Sequence, residues 1–162
     1  MPAPEFLTQA AHGWAKYYGT HKAVSIGITF VHFSGLLLGG GAAVAADRET
    51  LKAAREAGAV RADHLEFLGS VHSIAVAGLV LLFVSGAAMF LSDLDTFWET
   101  KVFWIKMGLV SLLLLNALAM QQAERLARTV PAKAWPRLTT TSIVSLVLWF
   151  AVVLASTVLK SS

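Results

Sequence analysis

Long stretches without charged residues alternate with short polar segments along this chain. Three windows, 23–46, 67–92 and 138–159, contain no Asp, Glu, Lys or Arg, and a fourth, 102–123, contains only Lys106. A helix needs roughly 20 apolar residues to cross about 30 Å of hydrocarbon. The pattern therefore predicts four membrane helices, which lie at about 21–48, 64–92, 97–124 and 137–160.

A further helix is predicted ahead of the first crossing, at about residues 5–19. Aromatic and aliphatic side chains recur there at near-helical spacing, Phe6, Trp14 and Tyr17 among them. Such a segment is expected to lie in the membrane interface. The first 20 residues are polar and aromatic rather than built like a signal peptide, so the first crossing is expected to be retained.

Composition agrees with this pattern. The 162 residues are 56% hydrophobic and 14% charged, which lies outside the range of soluble domains. We therefore expect a single transmembrane domain over residues 1–162, an all-α integral membrane four-helix bundle. Without cysteine, thiolate metal sites, disulfides and covalent haem attachment are excluded. The net charge of +3 and the lack of a polybasic run argue against nucleic acid as a partner.

Basic residues are concentrated in two of the loops between the predicted crossings. Loops 47–66 and 124–137 hold eight, which are Arg48, Lys52, Arg55, Arg61, Arg125, Arg128, Lys133 and Arg137. The opposite side has four, which are Lys16, Lys22, Lys101 and Lys160. Because cytoplasmic loops carry the excess of Lys and Arg, both termini are expected outside the cytoplasm, in a bacterial-type plasma membrane.

One face of the first predicted membrane helix carries small and polar residues around a histidine. Steps of three or four residues place on it Ser25, Thr29, His32, Gly35, Gly39 and Ala43. Small residues beside a buried imidazole let a flat macrocycle such as haem approach the backbone. This makes His32, Gly35 and Gly39 candidate cofactor-binding residues. Close packing between membrane helices explains the glycines equally well, but it does not explain His32.

Ionisable residues inside a predicted crossing are functional candidates by default. His32 lies near the middle of the first helix, His72 near the start of the second, and Lys106 in the third. The two histidines are the candidate metal ligands, and Lys106 is a candidate propionate partner or alternative ligand. Interhelical hydrogen bonds for the histidines, and snorkelling of Lys106 toward Asp93 or Asp95, are the alternative interpretations.

Two axial ligands of one haem iron must lie at similar heights in the membrane. At 1.5 Å per residue, His32 is about 15 Å below one face and His72 about 9 Å from the other. In a core about 30 Å thick, a shared iron therefore requires tilt or a register shift. Lys106 matches the height of His32, and Asn116 approaches that of His72. His64 is expected at the water interface, with a surface role.

The order of these features resembles that of small four-helix membrane families. His32 is followed by glycines 39–41, and His72 opens the second helix. Gly86 lies near the end of that helix, and FWIKMGLV with Lys106 opens the third. Over about residues 25–120 the chain is similar to CopD-type copper-resistance proteins and HemJ-type proteins, and more loosely to membrane b-type cytochromes.

This resemblance implies particular roles. In HemJ-type proteins, which act at protoporphyrinogen oxidation, a haem-associated histidine lies in the first helix and a lysine in the third. Those roles would fall on His32 and Lys106. The surrounding sequence departs from the HemJ pattern, so that activity is not carried over. The CopD resemblance implies copper handling, but the chain has no Met-rich or His-rich external run.

The leading hypothesis is a membrane protein that binds haem b for electron transfer, alone or with other membrane redox subunits. A cofactor-free assembly or anchor subunit, whose glycine faces dock on another membrane protein, is a second hypothesis. A third is a small ion or metal transporter lined by His32, Lys106, His72 and Asn116. The lipid bilayer is a partner in all three, and a homo-oligomer is compatible with each.

Overall fold

The computed structural model describes residues 3–56 and 59–161, except for the side chains of residues 59, 60, 72, 160 and 161. All regular secondary structure in this part of the chain is helical. In order, the elements are α1 (Glu5–Thr20), α2 (Lys22–Gly35), a π-helical turn (Leu36–Gly40), α3 (Gly41–Ala53), α4 (Ala59–Ser92), α5 (Leu94–Glu99), α6 (Lys101–Thr129) and α7 (Pro131–Ser161).

Four helices are long and apolar enough to cross a membrane, which confirms that part of the prediction. They span Lys22–Ala53, Arg61–Ser92, Lys101–Thr129 and Pro131–Leu159. The first of these is continuous through α2, the π-helical turn and α3. The predicted segment 97–124 is divided at Thr100, whose extended backbone (φ −81°, ψ 113°) separates α5 from α6. Helix α7 begins at Pro131, since proline at a first helical position loses no hydrogen bond.

The long helices form two hairpins. The continuous helix of α2 and α3 packs on α4, and α6 packs on α7 in the most extensive contact of the molecule. The two hairpins meet mainly where α3 lies against α7, whereas α4 and α6 contact each other little. The hairpins are therefore closely joined at the α3 end and less so at the α2 end.

The main core lies at the end where the hairpins meet. It consists of Ala46, Ala53, Leu65, Leu68, Ala123, Ala127, Ala134, Trp135 and Leu138. Elsewhere large apolar side chains point outward, such as Leu37 at 75% exposure and Phe83 at 77%. Apolar exposure on this scale is rare in soluble monomers.

Helix α1 packs against the other end of the first hairpin. The indole Nε1 of Trp14 donates a hydrogen bond of 2.8 Å to the carbonyl oxygen of Ala88 in α4. Ala3, Ala11 and Leu94 form a small buried cluster beside this contact. The N-terminal helix is thus fixed to the last turns of α4.

Glycines bring the first hairpin's helices into backbone contact. A Cβ at Gly39 would lie 3.2 Å from the Cα of Gly78, and one at Gly35 would lie 2.9 Å from the carbonyl oxygen of Gly78. On the other flank of the π-helical turn, a Cβ at Gly40 would lie 3.1 Å from the Trp149 ring. A Cβ would therefore clash at Gly35, and at Gly39 and Gly40 it would require the neighbouring atoms to shift by a few tenths of an ångström.

Candidate functional site

The imidazole of His32 is held by a hydroxyl across the first hairpin. Helix α2 directs His32 toward α4, where Nδ1 lies 3.0 Å from the Oγ of Ser85. Ser85 donates its own hydroxyl proton to the backbone carbonyl of Leu81. Because a hydroxyl has one proton to donate, the Ser85 oxygen must accept the bond from Nδ1–H. The neutral ring therefore leaves a lone pair on Nε2.

The second nitrogen of the His32 ring has no hydrogen bond of its own in the described part of the chain. His32 is partly buried, the backbone of Leu82 also lies within reach of its ring, and none of the hydrogen bonds found involves Nε2. On one flank a Cβ at Gly86 would lie 3.4 Å from the ring's Cε1, which is an ordinary van der Waals contact. The nearby Thr29 hydroxyl donates to the Ser25 carbonyl in its own helix. Nε2 is the ring atom that remains available for a ligand.

Lys106 approaches this histidine from the second hairpin. It is partly buried in α6 and lies within electrostatic range of His32. Within residues 3–56 and 59–161 the one ion pair found joins Lys52 and Glu49 at 3.6 Å. Lys106 therefore forms no ion pair with Asp93 or Asp95, which was the alternative interpretation.

His72 belongs to α4, but its side chain lies outside the described residues. The level of its backbone can still be compared with that of His32, whose partner Ser85 lies 13 residues further along α4. At 1.5 Å per residue this separation is about 20 Å along the helix axis. The two histidines do not stand at the similar heights that two ligands of one iron require.

Gly35 and Gly39 face the backbone of α4 rather than open space. At both positions the backbone of Gly78 is among the nearest neighbours. Their role in contacting a macrocycle stays a prediction. Asn116, expected near the height of His72, donates its amide to the carbonyl oxygen of Thr141 at 2.9 Å and so ties α6 to α7.

The surface role expected for His64 was wrong. Its side chain is 7% exposed, and its Nε2 lies 2.8 Å from the Thr50 hydroxyl. Thr50 donates its proton to the Ala46 carbonyl, so Nε2 of His64 is the donor to Thr50. The ring also packs against Phe67 and Trp135. Its burial arises because α3 places Thr50 beside it and α7 covers it with Trp135. The contact with α7 is long-range, so a local pattern does not indicate it.

Asp47 is 1% exposed, although the sequence pattern places it first in a predicted loop. Neither of its carboxylate oxygens has a hydrogen-bond partner among the described residues. It lines a cavity of about 120 Å³ between the two hairpins. A charged residue directly after a run of alanines could have drawn attention, but only the packing of α3 on α7 buries it.

Among the described side chains, no group of three or more His, Asp or Glu residues is arranged to hold a metal ion. A site at His32 therefore offers one imidazole, with Lys106 as the nearby cation. No protein-family model, curated protein or solved structure matches the chain. The similarity to CopD-type and HemJ-type proteins stays an expectation from the sequence.

Proposed function

We propose that this protein is a membrane-embedded b-type haem protein in which the imidazole of His32 would hold the haem iron. In this role it would carry electrons alone or as a subunit of a larger redox complex. Four apolar helices and an apolar exterior support membrane insertion. Haem supplies a one-electron carrier when bound, and the protein contributes the ligand, the burial and the nearby charge.

The observation that carries this proposal is the free Nε2 of His32. Histidines that ligate metals almost always donate their other ring N–H to a second group, which fixes the tautomer and orients the ring. The bond from Nδ1 to Ser85 has this form. Gly86 beside the ring and the loose contact between α4 and α6 are compatible with a planar group at this level.

The structure gives less direct support to the other residues that were predicted for the haem site. Lys106 is suited to a propionate carboxylate or to a second ligand position, because it comes from the facing hairpin. His72, about 20 Å away along α4, would serve a separate site rather than the iron of His32. The proposal therefore rests on His32, with Lys106 as its first partner.

An absorption spectrum of the detergent-purified protein, oxidised and then reduced with dithionite, tests this proposal. We expect a sharp α-band on reduction, which His32→Ala abolishes. His12→Ala removes an exposed histidine of α1 and is the matched control, since it should keep the band. A featureless spectrum from protein made with ample haem would overturn the proposal.

In that event the two remaining hypotheses are separable. Co-purification of a larger membrane partner would favour the assembly or anchor subunit. Ion or metal flux into liposomes that contain the protein would favour the transporter.

A further inference from the structure

A carboxylate without a partner is buried where α3 packs on α7. Asp47 is 1% exposed, and both of its oxygens lack a hydrogen bond among the described residues. The hydroxyls of Ser142 and Ser145 lie close enough to interact with it. Neither hydroxyl, however, forms a hydrogen bond of acceptable geometry with the carboxylate. Buried polar groups in proteins are nearly always paired, so an unpaired carboxylate indicates a missing partner.

The hydroxyl groups of α7 divide into two sets. Most donate to carbonyl oxygens of their own helix, namely those of Thr139, Thr140, Thr141, Ser156 and Thr157. Ser142 differs, because its Oγ is buried and has no partner in the described part of the chain. The carboxylate of Asp47 and the hydroxyl of Ser142, which both lack a hydrogen-bond partner among the described residues, therefore lie next to each other where α3 packs on α7.

This place borders a cavity of about 120 Å³. Asp47 and Ser145 line it from α3 and α7, and Gln121 and Glu124 line it from α6. The rest of the wall is apolar, with small residues such as Ala43 and Ala117 and the ring of Trp149. The cavity therefore has a few oxygen-bearing groups and an otherwise hydrocarbon lining, which is the usual composition of a small-molecule site.

We propose that this cavity binds a small organic cation, an ammonium group with an apolar body. A positive partner stabilises a buried ionised carboxylate. An ammonium has three N–H donors, which match the two carboxylate oxygens of Asp47 and the hydroxyl of Ser145 on the cavity wall. Among the described residues no group of three or more His, Asp or Glu side chains is arranged here to hold a metal cation such as Ca²⁺ or Mg²⁺. The apolar body of the ligand would occupy the remainder of the cavity.

Thermal unfolding of the full chain in detergent tests this inference with three probes. Butylammonium chloride supplies charge and body, butanol supplies the body alone, and sodium chloride supplies an inorganic cation. We expect butylammonium to raise the melting temperature in a saturable manner, and the other two to have little effect at equal concentration. Asp47→Asn should weaken butylammonium binding about tenfold or more. Asp63→Asn changes an exposed carboxylate and should leave binding unchanged.

A second variant tests the cavity without altering the carboxylate. Ala117→Leu fills part of the apolar wall, so it should weaken butylammonium about tenfold and leave methylammonium unchanged. If Asp47→Asn does not fold, this comparison decides the proposal by itself. Equal stabilisation by butanol, equal stabilisation by sodium, or unchanged butylammonium binding in both variants would each overturn it.

Discussion

The molecule contains two histidine–hydroxyl pairs that share one hydrogen-bond pattern and differ in packing. His32 bonds to Ser85 and His64 bonds to Thr50, and each hydroxyl donates its proton to a carbonyl oxygen of its own helix. The proton lies on Nδ1 in the first ring and on Nε2 in the second. A hydrogen bond from a histidine in a long apolar helix therefore does not by itself distinguish a ligand from a structural residue.

The difference lies in the space around the ring. His64 is packed against Phe67 and Trp135 in the main core, where α3 and α7 join the hairpins. His32 is partly buried at the level where the hairpins contact each other less. We infer that the His64 pair stabilises the fold, whereas the His32 pair leaves a nitrogen available.

The largest effect is expected at the glycine contact that holds α4 near the His32 pair. In Gly78→Ala the new Cβ would overlap the backbone of Gly39, so the helices must separate. We expect a loss of about 3 kcal/mol of stability, together with loss of any haem band. Gly69→Ala is the control in the same helix, because a Cβ there meets no described atom within 4 Å. Reversible unfolding in detergent measures both, and equal stability of the two variants would contradict the packing argument.

Removing each histidine side chain in turn distinguishes the roles of the two pairs. His64→Ala removes a buried ring and leaves a gap beside Trp135, so we expect a loss of about 2 kcal/mol of stability. His32→Ala removes a partly exposed ring and should cost about 1 kcal/mol or less while abolishing the haem band. The same unfolding assay and the reduced spectrum measure the contrast. Loss of the band in His64→Ala with its stability intact would reverse our assignment of the two roles.

The helical content and the four long apolar helices could be predicted from the sequence because hydrophobic length is local information. The position of His32 inside the first long apolar helix could be predicted for the same reason. Its partner Ser85 could not, because the pair forms across 53 residues of sequence. The burial of Asp47 and His64 could not be predicted because it depends on α7 packing over α3.

The smallest and most specific effect is expected when each of the two hydroxyl partners is replaced by alanine. Ser85→Ala removes the acceptor of Nδ1–H, which loosens the ring and lowers the basicity of Nε2. We expect a shifted haem midpoint potential with a stability change of about 1 kcal/mol or less.

Thr50→Ala is the matched variant and leaves the Nε2–H of His64 buried without an acceptor. It should cost about 1 to 2 kcal/mol and leave the potential unchanged. Redox titration and unfolding of both proteins measure this, and a potential shift of equal size in Thr50→Ala would show that the two pairs are not functionally distinct.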